Sequence, residues 1–173
     1  MTLLKRIQEL DDFKALRLYE HMSDMLFDAM TSDAEELMSH LPDSVASTLD
    51  IQKIRQADAS FFTKPLDGEQ AVAFARTTLE LLATNPSTSA LLKNELDNWR
   101  DEAMVAETIL AIGSSISLIM LFATSEITYD KVKGLRVDIG GKDEKKIAAL
   151  GELLQKLLKP IMPNIKSFLG KRD

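Results

Sequence analysis

A chain of 173 residues and 19.3 kDa is long enough to bury a sizeable core as one domain, and 45% apolar with 28% charged residues excludes overall disorder. Cysteine is absent, which excludes a disulfide framework and a thiolate site and points to a reducing, cytoplasmic setting. The net charge of −6 is unevenly laid: residues 1–126 carry 10 Lys/Arg against 21 Asp/Glu, and residues 127–173 carry 11 against 6. An acidic body with a basic tail suits contact with anionic lipid, an acidic partner or a second copy; the competing reading is solvated surface charge that happens to segregate.

The first third reads as short helices. Leu3, Leu4, Ile7 and Leu10 fall at helical spacing. Lys5, Arg6, Glu9, Asp11 and Asp12 interrupt that apolar pattern, so it is not expected to act as a secretory signal. Asp11 and Asp12 can cap a second helix with Leu16, Tyr19, Met22, Met25, Leu26 and Met30 on one face. Ser32 and Glu35 form a capping box for a third helix, which ends before Pro42, and Val45, Leu49, Ile51 and Ile54 mark a fourth. Residues 58–68 read as a loop anchored by Phe61 and Phe62.

Asp67 and Gln70 open a helix with Val72, Ala75, Leu79 and Leu82 inward, stopped at Asn85-Pro86. Asn85 can cap the next helix with Pro86 in its first turn. Nothing breaks the pattern over residues 86–112, where Leu92, Leu96, Trp99, Ala103, Ala106 and Ile109 share a face. Gly113, Ser114 and Ser115 are a soft spot where this helix can end, kink or pass through. Helix is then expected from Ile116 to about Lys133, with Gly134 as a left-handed C-terminal cap. Leu135, Arg136, Val137, Asp138 and Ile139 alternate with period two, the one clear strand pattern, which needs a partner near residues 127–129, in a second copy or in another protein. A basic amphipathic helix follows, with Ile147, Leu150, Leu153, Leu154, Leu157 and Leu158 on its apolar face.

Motifs for chemistry are sparse. Glu36 and His40 have the spacing of a two-ligand metal face, but no third ligand lies nearby, and a surface histidine is the better reading. Glu20, Asp24 and Asp28 align as an acidic ridge, better read as a solvated helix face than as acid–base machinery. Gly140-Gly141-Lys142 lacks phosphate-loop spacing. Met22, Met25 and Met30 read as core filling rather than an adaptable groove. The acidic body and the scarcity of aromatics beside the tail lysines argue against nucleic acid.

The most informative stretch is residues 108–125, eighteen residues without a charge (TILAIGSSISLIMLFATS). At about 1.5 Å of rise each, against a hydrocarbon core of roughly 30 Å, this is long enough to cross a bilayer, and Gly113 with Ser117 suits close helix contact. Small polar residues at its middle weaken a span. Basic flanks weaken it further: Lys93 and Arg100 precede the run, whereas Lys131, Lys133, Arg136, Lys142 and Lys145 follow it. That bias would require the acidic N-terminal part to be exported. Burial in protein is therefore preferred.

Three pieces in order, ILAIGSSISLIMLF, LRVDIGG and AALGELLQKLL, give residues 107–158 a resemblance to the effector-associated constant component domains of bacterial conflict systems. The resemblance implies a small non-enzymatic adaptor placed beside a protease or other effector. The tryptophan-arginine step often seen after the apolar helix in that family is absent here, and no functional residue is carried over.

The expected fold is mainly α: a single domain of about seven helices with one long central helix and a minor strand at 135–139. Its parts are an acidic body (1–85), a long apolar helical segment (86–133) and a strand with a basic amphipathic helix (134–173). The expected function is a non-catalytic interaction or adaptor protein of antiviral defence, without catalytic, cofactor or metal residues, forming a homo-oligomer or docking on a protein partner. The contact residues would be Ile109, Ile112, Gly113, Ile116, Ser117, Met120, Leu135, Val137 and Ile139. The alternative is a membrane-acting effector that inserts residues 108–125.

Overall fold

The computed structural model describes residues 1–30, 36, 39–43, 63, 65–99 and 112–139. Among them are five helices, α1 (Leu3–Gln8), α2 (Asp12–Ala29), α3 (Gly68–Thr84), α4 (Pro86–Asp97) and α5 (Ile112–Thr124), and two strands, β1 (Ser125–Asp130) and β2 (Gly134–Ile139). The described part of the chain is thus mainly helical with a small hairpin. Five described helices stand against about seven expected; apart from residues 36 and 39–43, the expected helices over residues 32–57 and beyond Gly141 lie outside the described residues.

Local chemistry sets the helix starts. Thr2 Oγ1 accepts from the Lys5 N–H and Asp11 Oδ1 from that of Lys14, each satisfying a backbone donor the helix leaves orphaned. Asp67 does the same for Gln70 at 2.8 Å. Asn85 Oδ1 accepts from the Ser87 and Thr88 N–H groups with Pro86 in the first turn, and the buried Thr88 hydroxyl donates back to the Leu82 carbonyl at 2.6 Å. The α3–α4 corner is therefore closed from both sides.

Contacts divide the chain into two compact units. The first comprises Met1–Thr31, Ala71–Ile109 and Ile127–Asp138. Its buried side chains include Ile7, Ala15, Leu18, Tyr19, Met22 and Leu26 from the first two helices and Phe74, Ala75, Leu79 and Leu82 from α3. Tyr19 and Phe74 meet edge to face at 5.6 Å, a favoured aromatic geometry. The buried face of α2 is rotated from the expected one: Leu16, Met25 and Met30 are only half-buried, while Ala15 and Leu18 are inside. Arg6 pairs with Asp97 at 2.7 Å, tying α1 to α4.

The second unit comprises Ser32–Gln70, Leu110–Glu126 and Ile139–Asp173, and α5 is its main described element. Ser115, Leu118, Met120, Leu121, Phe122 and Thr124 are all buried. Three consecutive buried positions, Met120, Leu121 and Phe122, span about 200° of the helix circumference, a wider buried face than a narrow apolar stripe gives. Residues 113–115, the expected soft spot, are themselves helical.

Three expectations fail around these elements. A continuous helix over 86–112 is replaced by α4, which stops at Asp97. The Asn98 backbone N–H and side-chain amide both donate to the Asn94 carbonyl, at 3.1 and 2.8 Å. This is the local competition that makes asparagine a helix terminator. Helix from Ile116 to Lys133 is likewise cut short at Thr124, where the Thr124 hydroxyl donates to the Met120 carbonyl at 2.8 Å and the Ser125 hydroxyl to that of Leu121. Gly134 does not cap a helix; at φ +83 it closes the hairpin turn.

The strand at 135–139 is present, and its partner is the nearby one. β1 and β2 form a two-stranded sheet, antiparallel because three residues join them. Asp130 Oδ1 accepts from the Val132 and Lys133 N–H groups at 2.8 and 2.9 Å, pinning the turn before the left-handed glycine. Those two donors, Lys133 first and then Val132, hold the Asp130 carboxyl below its ordinary 3.8. A depressed carboxylate contributes stability at pH above its unfolded value and loses it as pH falls through the folded one. Acid titration followed by NMR should therefore move the Val132 and Lys133 amide resonances together, with a midpoint below 3.8. A midpoint at or above that value would show that the carboxylate does not hold the turn.

Candidate functional site

One open cleft in the first unit brings together side chains capable of recognition. It encloses about 340 Å³ and is lined by Arg17, Glu20, His21, Asp24 and Trp99. The period of α2 places the first four residues within two turns. Trp99 arrives from the other side because α4 has ended and Asn98 has turned the chain.

Two of the charges are already engaged. Arg17 and Glu20 pair at 3.1 Å. The His21 Nε2–H donates to Glu95 Oε2 at 2.9 Å, linking α2 to α4, and the Asn94 side-chain amide donates to the other Glu95 oxygen at 3.2 Å. The His21 and Trp99 rings meet at 71° with centroids 6.2 Å apart, forming a corner rather than a stack. Asp24 makes no ion pair or hydrogen bond among the described residues. His21 held by Glu95 resembles the base and orienter of a nucleophilic triad, yet no hydroxyl or thiol lines the cleft among the described residues.

Glu20 and Asp24, read from sequence as a solvated ridge, both line this cleft, whereas Asp28 does not. His40 is exposed and its Nδ1 lies 2.9 Å from the Glu36 carbonyl rather than its carboxylate. No group of three metal-competent side chains occurs among the described residues.

The proposed contact residues fall elsewhere. Ile112, Gly113 and Ile116 lie in the backbone of α5, and Ile139 ends β2. Ser117 and Leu135 are half-buried, and Met120 and Val137 are each 5% exposed. Ile109 lies outside the described residues. Among the described residues no helix is long and apolar enough to cross a membrane. Sequence reasoning missed Trp99, Arg17 and Glu95 as cleft partners. Their union depends on a chain reversal between α2 and α4 that no spacing rule encodes. Comparison with known proteins finds no matching family model, curated protein or solved structure.

Proposed function

We propose that this chain is a non-catalytic helical interaction protein that self-associates or docks on a partner effector through the segment 104–140, in a bacterial defence setting of the kind its 107–158 pattern resembles. The observation that supports this reading is the hairpin. Met30 bridges to Val137 along one edge of β2, whereas among the described residues no strand pairs with the outer edge of β1. An unpaired strand edge is a template for another chain. Exposed Glu126 and Asp130 along β1 restrict which strands it accepts. Beside the edge, Val132 at the turn is 93% exposed.

The membrane-inserting alternative draws less support. Among the described residues no helix is long and apolar enough to cross a membrane. Light scattering at micromolar protein should give a particle heavier than the 19.3 kDa chain, and anionic vesicles should not leak. A particle of monomer mass at every concentration sinks self-association; leakage by the resting protein favours the effector instead.

A further inference from the structure

We propose that the cleft on α2 and α4 receives a basic side chain, lysine or arginine, presented by a segment of a protein partner. The proposal does not rest on the hairpin edge or on self-association. The lining selects the ligand by charge. Arg17 is paired with Glu20 at 3.1 Å, so among the described lining residues no free cation awaits an anion. Asp24 remains as an uncommitted carboxylate at the same mouth. Glu95, drawn against His21 at 2.9 Å, adds negative potential behind the imidazole.

Trp99 supplies the second half of the recognition. A cation set over an indole is attracted by the ring quadrupole, most strongly of the aromatic side chains. The 71° angle between the His21 and Trp99 rings keeps them from closing into a parallel stack. A carboxylate beside an indole is the pairing that fits an ammonium or guanidinium: one end takes the hydrogen bonds and the other the apolar stem. A metal ion is served less well, since no three candidate ligands converge among the described residues. The open side of the cleft lets the stem of a side chain leave toward the backbone that carries it.

Trp99 is the single tryptophan of the chain, so its fluorescence reports on this site alone. The full chain would be titrated at fixed ionic strength with acetyl-Gly-Lys-Gly-Arg-Gly-amide and with the same peptide carrying glutamine at both basic positions. A saturable change in emission with the basic peptide only is expected, and Asp24→Asn should weaken it roughly fivefold, the scale of one exposed cation contact. Asp24 is exposed, so that variant should melt with the parent. Calorimetry on Trp99→Leu should show the same peptide binding weakened. The absence of saturable binding, an equal response to the glutamine peptide, or unchanged affinity in Asp24→Asn would each overturn the proposal, whatever the mass found by light scattering.

Discussion

Ser115→Arg is expected to abolish the folded state or reduce it to a loosely packed one. Ser115 is 0% exposed on α5, in the same turn of helix as the buried Leu118. Arginine there adds a long side chain to a close-packed interior and carries a charge away from water. The charge alone costs several kcal/mol after relaxation, against a total stability of about 5–15 kcal/mol for a native protein. Ser117→Arg, at a half-buried position two residues on, gives the side chain a route to water and should cost much less. Thermal melts by circular dichroism separate the two: the first should show no cooperative transition, the second a lowered one. A Ser115→Arg protein that melts with the parent would mean that this side of α5 is open to solvent.

Helix starts were legible because capping is local. Thr2, Asp11, Asp67 and Asn85 each bond a backbone N–H two or three residues on, and the last three stand out in the sequence as Asx residues before apolar periodicity. The ends were less legible. Asn94 and Asn98 stand four apart, and their mutual bond terminates α4, but apolar residues at helical spacing continued past them and masked the stop. The same override left β1 visible only as one of three candidate partners for the strand at 135–139. The residues of β1 alternate, with Ser125 and Ile127 buried and Glu126, Thr128 and Asp130 exposed, and Asp130 followed by Gly134 is hairpin chemistry. A long uncharged run read as helix carried through that signal.

The cleft was half visible. Glu20, His21 and Asp24 share one stretch of α2, so their proximity follows from helical period. Trp99 and Glu95 lie more than seventy residues away and reach them only through packing of α2 beside α4, which a single sequence does not specify. The loss of the long helix matters here too: on an unbroken helix Trp99 would have lain with Leu92 and Leu96, not at the mouth of the cleft.

The second large effect is expected at Arg76, whose guanidinium holds the α1–α2 corner. Nη2 donates to the Leu10 carbonyl at 2.6 Å and to Asp12 Oδ1 at 2.9 Å, and Nη1 approaches the Ile7 and Gln8 carbonyls at 3.4 Å. The last two belong to the final turn of α1, whose carbonyls have no partner within the helix, and that of Ile7 also accepts from the Leu10 N–H at 3.2 Å. A helix of six residues has no stability of its own, so α1 depends on such anchors and on the burial of Ile7 at 0% exposure. Arg76→Ala removes all four contacts at once and should cost about 2–3 kcal/mol, lowering the melting temperature by roughly 4–10 °C in a chain of this size. Asp12 is 74% exposed, so Asp12→Asn should cost no more than about 0.5 kcal/mol. Arg76→Lys, with a single ammonium in place of a planar fork, should fall between them. Urea unfolding of the three variants orders them, and hydrogen exchange should show the amides of α1 losing protection first in Arg76→Ala. Equal losses for Arg76→Ala and Asp12→Asn would assign the effect to the surface ion pair and release the carbonyls from the argument.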